Sequence, residues 1–305
     1  MKRLTFLAAA LLLFADVSFG IVISGGDSGH LTAPTDDPGW ARSGSVGTNG
    51  SGVYLGNGWV ITANHVSSKT YFTVDGDATY NKMAGEEYGV QLDNLEKTSK
   101  IDLYMFRVDT SAGNLTELTP TPIASSAPSE GSQATHIGTG DGQTSSTETT
   151  WYVDTGEDPY IWETSPFPGA DAHANGYYLQ TNRDKRWAFE EVYQSDDDFD
   201  NIEGFSTIFN DDADYGITVE HDSGSGLFVK NNGEWELAGI AHAIGSYSGQ
   251  PDRTRVYGNT SYYSDLSQYS GQINDIITIP EPASLLTLGL GFLYFRQRKQ
   301  PVSAK

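Results

Sequence analysis

Apolar residues occur along this chain in short runs closed by glycine, asparagine or aspartate, and only one stretch of its body carries helical spacing. Val53 to Leu55 and Trp59 to Thr62 flank Gly56-Asn57-Gly58, a hairpin signal because these residues accept the positive φ of a tight turn. Ile101 to Val108 is apolar without clean alternation, as expected of a strand covered on both faces. Gln133 to Ile137, Thr149 to Val153, Gly176 to Gln180, Trp187 to Val192, Phe205 to Phe209, Ser225 to Lys230 and Trp235 to Ile244 continue the series, and Asn231-Asn232-Gly233 turns the last two back on each other. Residues 21 to 50, rich in Gly, Ser, Asp and Pro, read as an irregular lead-in that touches the body through Trp40 and Val46. Between Tyr262 and Ile277, Leu266, Tyr269, Ile273 and Ile277 recur at helical spacing, with Gly271 weakening the helix. The pattern predicts an all-β sandwich or barrel finished by one helix.

The two ends differ from this body. Lys2 and Arg3 precede an apolar run from Leu4 to Phe14 and small residues at Ser18 and Gly20, the plan of a secretory signal peptide over residues 1–20. From 280 to 305 the chain has Pro280-Glu281-Pro282, an apolar run from Ala283 to Phe295, and a basic cluster at Arg296, Arg298 and Lys299. As a helix that run rises about 20 Å against a hydrocarbon core of about 30 Å, a marginal transmembrane anchor whose basic end stays cytoplasmic. This tail resembles the PEP-CTERM sorting signal of Gram-negative bacteria. The resemblance implies an exosortase-like processing enzyme as partner, transient association with the inner membrane, and a destination at the cell surface or in the extracellular matrix.

Composition narrows the partners of residues 21–279, the expected folded domain. The chain has no Cys, so nothing in it depends on a disulfide, and its formal net charge of −22 argues against binding nucleic acid or anionic lipid. Asp196, Asp197, Asp198 and Asp200 form an acidic run that reads first as a solvated loop; its density of oxygens also admits calcium as a structural ion, although an EF-hand's Gly and distal Glu are missing. No cofactor is required.

Three local patterns carry chemistry. Gly58-Trp59-Val60-Ile61-Thr62-Ala63-Asn64-His65 is an apolar strand ending in small residues and a histidine. Lys100-Ile101-Asp102-Leu103-Tyr104-Met105-Phe106 places one carboxylate at the start of an apolar strand, and Asp222-Ser223-Gly224-Ser225-Gly226 places a hydroxyl in a flexible turn before another. A serine hydroxyl attacks only when a base takes its proton, and that base needs an acid to hold its tautomer. The order His, Asp, Ser is one of the known orders of such triads.

These patterns resemble the TAAHC, DIALL and GDSGG motifs of the trypsin-like serine proteases, and the resemblance runs from about Trp40 to Ile277. It implies two six-stranded antiparallel β-barrels, divided near residues 120–135, with a C-terminal helix and a triad of His65 (general base, then acid), Asp102 (its orienting partner) and Ser223 (the nucleophile). The interval from Asp102 to Ser223 is long for the family. Its extra length is expected between Trp151 and Tyr215, with Trp162, Pro166, Pro168, Tyr177 and Tyr178 in loops beside the cleft. The amides of His221 and Ser223 fall where the family builds its oxyanion hole, although His221 stands where the family has Gly. Ile217 falls at the base of the specificity pocket, and an apolar residue there disfavours cleavage after Arg or Lys. His242, Ala243 and Ile244 fall on the cleft strand, with His242 placed to hydrogen-bond Asp102. If cleavage follows Gly20, Ile21 becomes an N-terminus positioned to pair with Asp222. The function expected is a secreted or surface-associated serine endopeptidase acting on polypeptides. Two alternatives are a weakened or inactive protease-like binding module of the matrix, which His221 would favour, and a serine esterase.

Overall fold

The computed structural model describes residues 21–74, 78–181 and 183–278. The expected leader and the sorting tail from Pro280 on lie outside the described residues. The chain is mostly β, in two halves with the site between them.

A two-residue strand, β1 (Val22–Ile23), precedes the first half, which comprises β2 (Ser43–Val46), β3 (Gly50–Gly56), β4 (Trp59–Ala63), β5 (Tyr71–Val74), β6 (Ala78–Asn81), β7 (Gly89–Asp93) and β8 (Lys100–Arg107). These seven pair in the order β6-β5-β2-β3-β4-β8-β7. An isolated antiparallel bridge from Lys82 to Val108 joins the end of β6 to the end of β8, so the sheet curls into a half-barrel rather than lying open. The irregular lead-in is corrected here: Ser43–Val46 is a strand although three of its four residues are Ser or Gly, because β3 and β5 pair with it from both sides. Pairing supplied by neighbours overrides weak local preference.

The second half contains β9 (Gln133–Gly138), β10 (Gly142–Gln143), β11 (Thr149–Asp154), β12 (Ile161–Glu163), β13 (Ala172–Gln180), β14 (Arg186–Gln194), β15 (Gly204–Ile208), β16 (Gly216–Ile217), β17 (Gly226–Asn231), β18 (Glu234–Gly245), β19 (Thr254–Val256) and β20 (Thr260–Asp265). Six of them close into a barrel in the order β14-β15-β20-β18-β17-β9. The additional length is only partly loop: β10, β13, β11 and β12 form a further sheet that β19 joins through β13, placing Trp162 on β12 and Tyr177 and Tyr178 on β13, while Pro166 and Pro168 lie in the loop between β12 and β13.

The single α-helix among the described residues, α1 (Leu266–Ile277), begins four residues later than its periodicity predicts. Residues 260–265 are drawn into the barrel by β15 and β18, and the Asp265 side chain then caps the helix by accepting from the Ser267 amide. Leu266, Tyr269 and Ile273 on its inner face are fully buried in one core with Val53, Trp59, Leu103 and Met105 of the first half and Ile137, Phe228 and Ile240 of the second. The Gln272 side chain binds both the amide and the carbonyl of Asp93, tying the helix to β7. One apolar core thus spans both halves and fixes the cleft between them.

Candidate active site

β4 and β8 pair antiparallel with Ala63 opposite Leu103, so the residues just after β4 meet Asp102 near the start of β8. The His65 amide donates to Asp102 Oδ1 at 2.6 Å, and His65 Nδ1 lies 2.5 Å from Oδ2. Both carboxylate oxygens are therefore committed to one residue. A carboxylate accepts only, so the ring proton sits on Nδ1 and the Nε2 lone pair faces outward. There it meets Ser223 Oγ at 2.6 Å. The imidazole is about half exposed, at 47 %, so the serine can be reached from solvent.

Ser223 is brought across from the second half by a tight turn. Its carbonyl accepts the Ser51 amide at 2.8 Å, and the Gly224 amide donates to Ala241 O. Gly224 has φ +90°, and a Cβ there would lie 2.1 Å from Thr62 Oγ1 and 2.2 Å from Ser51 O. Only glycine lets the turn press this closely against β3 and β4.

His221 has φ +72°, so the left-handed conformation is kept with a side chain present, at a cost of about 1–3 kcal/mol. Among the described residues, no acceptor is bound by the amides of His221 and Ser223, while the His221 carbonyl takes the Ser51 hydroxyl at 3.1 Å. Two unused N–H groups beside Ser223 are what an oxyanion requires. The His221 ring is not a spare donor to this hole at Nδ1, which lies 2.8 Å from Asp141 Oδ1.

Asp222 is fully buried, and its oxygens accept from the amides of Gly140 (2.7 Å) and Val219 (3.0 Å). Burial pushes its carboxyl above the ordinary range, against the opposing pull of His136, the two amides and Arg183. Ile21 packs with Ile23 and Ala188 as β1 pairs with β16. The structure does not join Ile21 to Asp222 by any hydrogen bond among the described residues.

A cavity of about 410 Å³ adjoins Ser223 and His65 and is walled by Thr218, Val219, Glu220, Ala241, His242, Ala243 and Ile244, so the three expected cleft-strand residues all line it. Ile217 is not in it: the side chain packs with Val22, Tyr177, Leu179 and Phe209 behind the wall. Successive extended residues face opposite ways, so the cavity receives Thr218 instead, its hydroxyl held 2.6 Å from Ser261 Oγ. Sequence reasoning missed both hydroxyls, and the alternation along Gly216 to Val219 is the signal that would have found Thr218.

A second cavity, about 530 Å³, lies on the other side of His65 beside Asp102, Phe199, Ile202 and His242. His242 does not hydrogen-bond Asp102: its Nδ1 sits 3.4 Å from Ser264 Oγ and its Nε2 is buried with no partner. Burial lowers its pKa to about 4 despite the nearby Asp102 charge, so this ring is neutral at neutral pH. Phe199, packed against His242 and Tyr262, had no marker in the sequence beyond its place in the acidic run. A larger groove of about 700 Å³ near Trp40 and Arg183 has none of Ser223, His65 and Asp102 in its lining.

The acidic run does not converge. Asp198 Oδ1 accepts the Gly204 amide, and among the described residues no three His, Asp or Glu side chains are grouped to hold a metal ion. Asp196, Asp197, Asp198 and Asp200 lie in the connection between β14 and β15.

No family model matches the chain, and no curated protein matches it. Among solved structures it is similar to neuropsin, a serine protease expressed in the limbic system of mouse brain, at 14% identity and a TM-score of 0.47, over 81% of this chain and 97% of that one.

Proposed function

We propose that the chain is a serine endopeptidase that cleaves peptide bonds by acyl transfer at Ser223, with a preference other than Arg or Lys. The observation that carries the reading is the continuous line Ser223 Oγ to His65 Nε2 (2.6 Å) and His65 Nδ1 to Asp102 (2.5 Å), open to a cavity beside two unoccupied amides. Ser223 Oγ attacks the scissile carbonyl carbon as its proton passes to His65 Nε2, and the carbonyl oxygen takes negative charge against the amides of His221 and Ser223. Collapse breaks the C–N bond, and His65 gives the proton to the departing amine. Water, deprotonated by the same nitrogen, then releases the acid. Asp102, accepting from His65 Nδ1, stabilises the imidazolium in both halves of the cycle. With the export signal and sorting tail read at the two ends, the reaction takes place outside the inner membrane of a Gram-negative bacterium.

The test is exposure of the secreted protein to a fluorophosphonate probe, followed by peptide mapping. The expected result is a single stoichiometric adduct on Ser223. An unlabelled protein, or an adduct elsewhere, removes the proposal.

The cavity walls predict the preference. Ala241, Ala243 and Ile244 offer no charge, Thr218 offers a hydroxyl already engaged by Ser261, and the one carboxylate in the lining, Glu220, is paired with Arg255 at 3.2 Å, which suits small neutral side chains. Ile244→Gly is expected to raise kcat/KM for a large apolar side chain relative to alanine by about 10-fold or more, since single apolar groups in a pocket discriminate by about 10–200-fold. Paired peptides differing at one position read this out; an unchanged ratio would move the pocket elsewhere.

A further inference from the structure

The turn bearing the unused amides, Val219 to Ser223, is gripped from one side by a single short segment, Thr139 to Asp141. The Asp141 amide donates to Glu220 O at 2.8 Å, and the Gly140 amide donates to Asp222 Oδ1 at 2.7 Å. Thr139 Oγ1 lies 2.7 Å from Ser51 Oγ, the hydroxyl that binds the His221 carbonyl. A Cβ on Gly140 would lie 2.6 Å from both Asp222 Cγ and Glu220 O, so this approach is closed to any other residue.

One contact in this grip is made to a side chain in the left-handed conformation. His221 Nδ1 lies 2.8 Å from Asp141 Oδ1, and the other oxygen of Asp141 takes Arg253 Nη2 at 2.8 Å. The Asp141 side chain is 1% exposed, so its two partners compensate its burial. A glycine at this position would need no such hold. A histidine there pays for its Cβ, and a charge-assisted hydrogen bond to a buried, doubly bound carboxylate is the kind of interaction that offsets it.

We propose that Asp141, braced by Arg253, is a positioning residue that holds His221 in the left-handed conformation and so keeps the His221 amide aimed at the reacting oxygen. The inference rests on the endopeptidase reading. It deepens that reading by giving this chain a device, made from side chains of its own barrel, for keeping an oxyanion turn that lacks glycine in its working shape.

The experiment is a double-mutant cycle on the full chain as secreted: parent, Asp141→Asn, His221→Gly and the double variant, each measured for the second-order rate of fluorophosphonate labelling at Ser223. Asp141→Asn is expected to slow labelling about tenfold or more in the parent chain, up to the roughly 100- to 1,000-fold of losing one oxyanion donor outright, and by less than about twofold in the His221→Gly background. A merely structural role for Asp141 would slow both equally. Equal slowing, or no slowing in the parent chain, overturns the proposal. If Asp141→Asn does not fold, Arg253→Gln at a half-exposed position provides the same comparison, with about threefold slowing expected only where His221 is present and equal effects again overturning it. A crystal structure of the Asp141→Asn protein gives a readout free of activity. Rotation of the Glu220-His221 peptide out of the left-handed region is expected, and retention of the parent conformation overturns the proposal. A parent protein that takes no probe at all counts against the endopeptidase reading alone, and the crystal structure then decides the role of Asp141.

Discussion

Alanine at Ser223 or at His65 is expected to lower kcat by about 10⁶-fold, and alanine at both to lower it little further. The reason is geometric. Ser223 Oγ has one partner able to take its proton, His65 Nε2 at 2.6 Å, and that nitrogen has no other task in the site. Removing either group ends the same proton transfer, so the two losses cannot add. Asp102→Asn is expected to cost less, about 10⁴-fold. Asp102 accepts from both the amide and Nδ1 of His65, and an asparagine amide presented to that ring would favour the tautomer with its proton on Nε2, facing the serine. The measurement is kcat on a peptide selected from a library digest, with melting temperatures recorded to exclude unfolding. Multiplying losses in the Ser223/His65 double variant, or a Ser223→Ala protein retaining more than about one part in 10³ of kcat where about one part in 10⁶ is expected, would sink the acyl-transfer mechanism.

The largest stability effect is expected two residues from Ser223, at a second Ser-His-carboxylate constellation. Ser225 Oγ lies 2.6 Å from His136 Nε2, and His136 Nδ1 lies 2.9 Å from Glu190 Oε1, close enough for an ion pair though not aligned as a hydrogen bond. Glu190 Oε2 accepts from Thr207 Oγ1 at 2.5 Å and from Tyr263 Oη at 2.8 Å. Ser225, His136 and Glu190 are all 0 % exposed, so no substrate reaches them and the arrangement is structural. Glu190→Ala leaves a buried imidazole, a hydroxyl and a phenol without their acceptor, and a loss of about 3–5 kcal/mol is expected in urea unfolding. Glu190→Gln keeps acceptor oxygen and is expected to lose less.

The same pair sets a pH dependence. Burial alone would lower the His136 pKa, but the charge and proximity of Glu190, with Asp222 further off, outweigh burial and hold it above its ordinary value. A histidine whose folded pKa is raised adds stability that is complete below the unfolded value of about 6.5 and is lost as pH rises through the folded one. Parent stability is therefore expected to fall on the alkaline side of that window through this group, and the Glu190→Ala protein to lack that component. A parallel pH profile in the two proteins would show that His136 is neutral throughout.

Ser223 and Ser225 stand two apart in Asp-Ser-Gly-Ser-Gly, each against a histidine, and residue types alone cannot rank them. What singles out Ser223 in the sequence is its place directly after Asp222 in a motif that resembles a known one; what separates the two physically is exposure. Other readings divided in the same way. The hairpin at Gly56-Asn57-Gly58 and the turn at Asn231-Asn232-Gly233 were legible because positive φ is a local demand met by few residues. β2, with one apolar residue, was not, since its pairing energy comes from β3 and β5. Ile217 was misplaced because its register against β1, and hence the face it presents, is set by a strand almost two hundred residues earlier.

By itself, then, the sequence determined the all-β character of the chain, its closing helix, and the three positions that meet in one hydrogen-bonded line, because these follow from short-range patterns: apolar runs, turn residues, and reactive side chains at strand ends. The tertiary structure alone decided which serine meets solvent, which wall residue enters the cavity, and that a histidine stands in a glycine's conformation against Asp141. Those depend on burial and on contacts between segments far apart in the chain, and no local pattern records them.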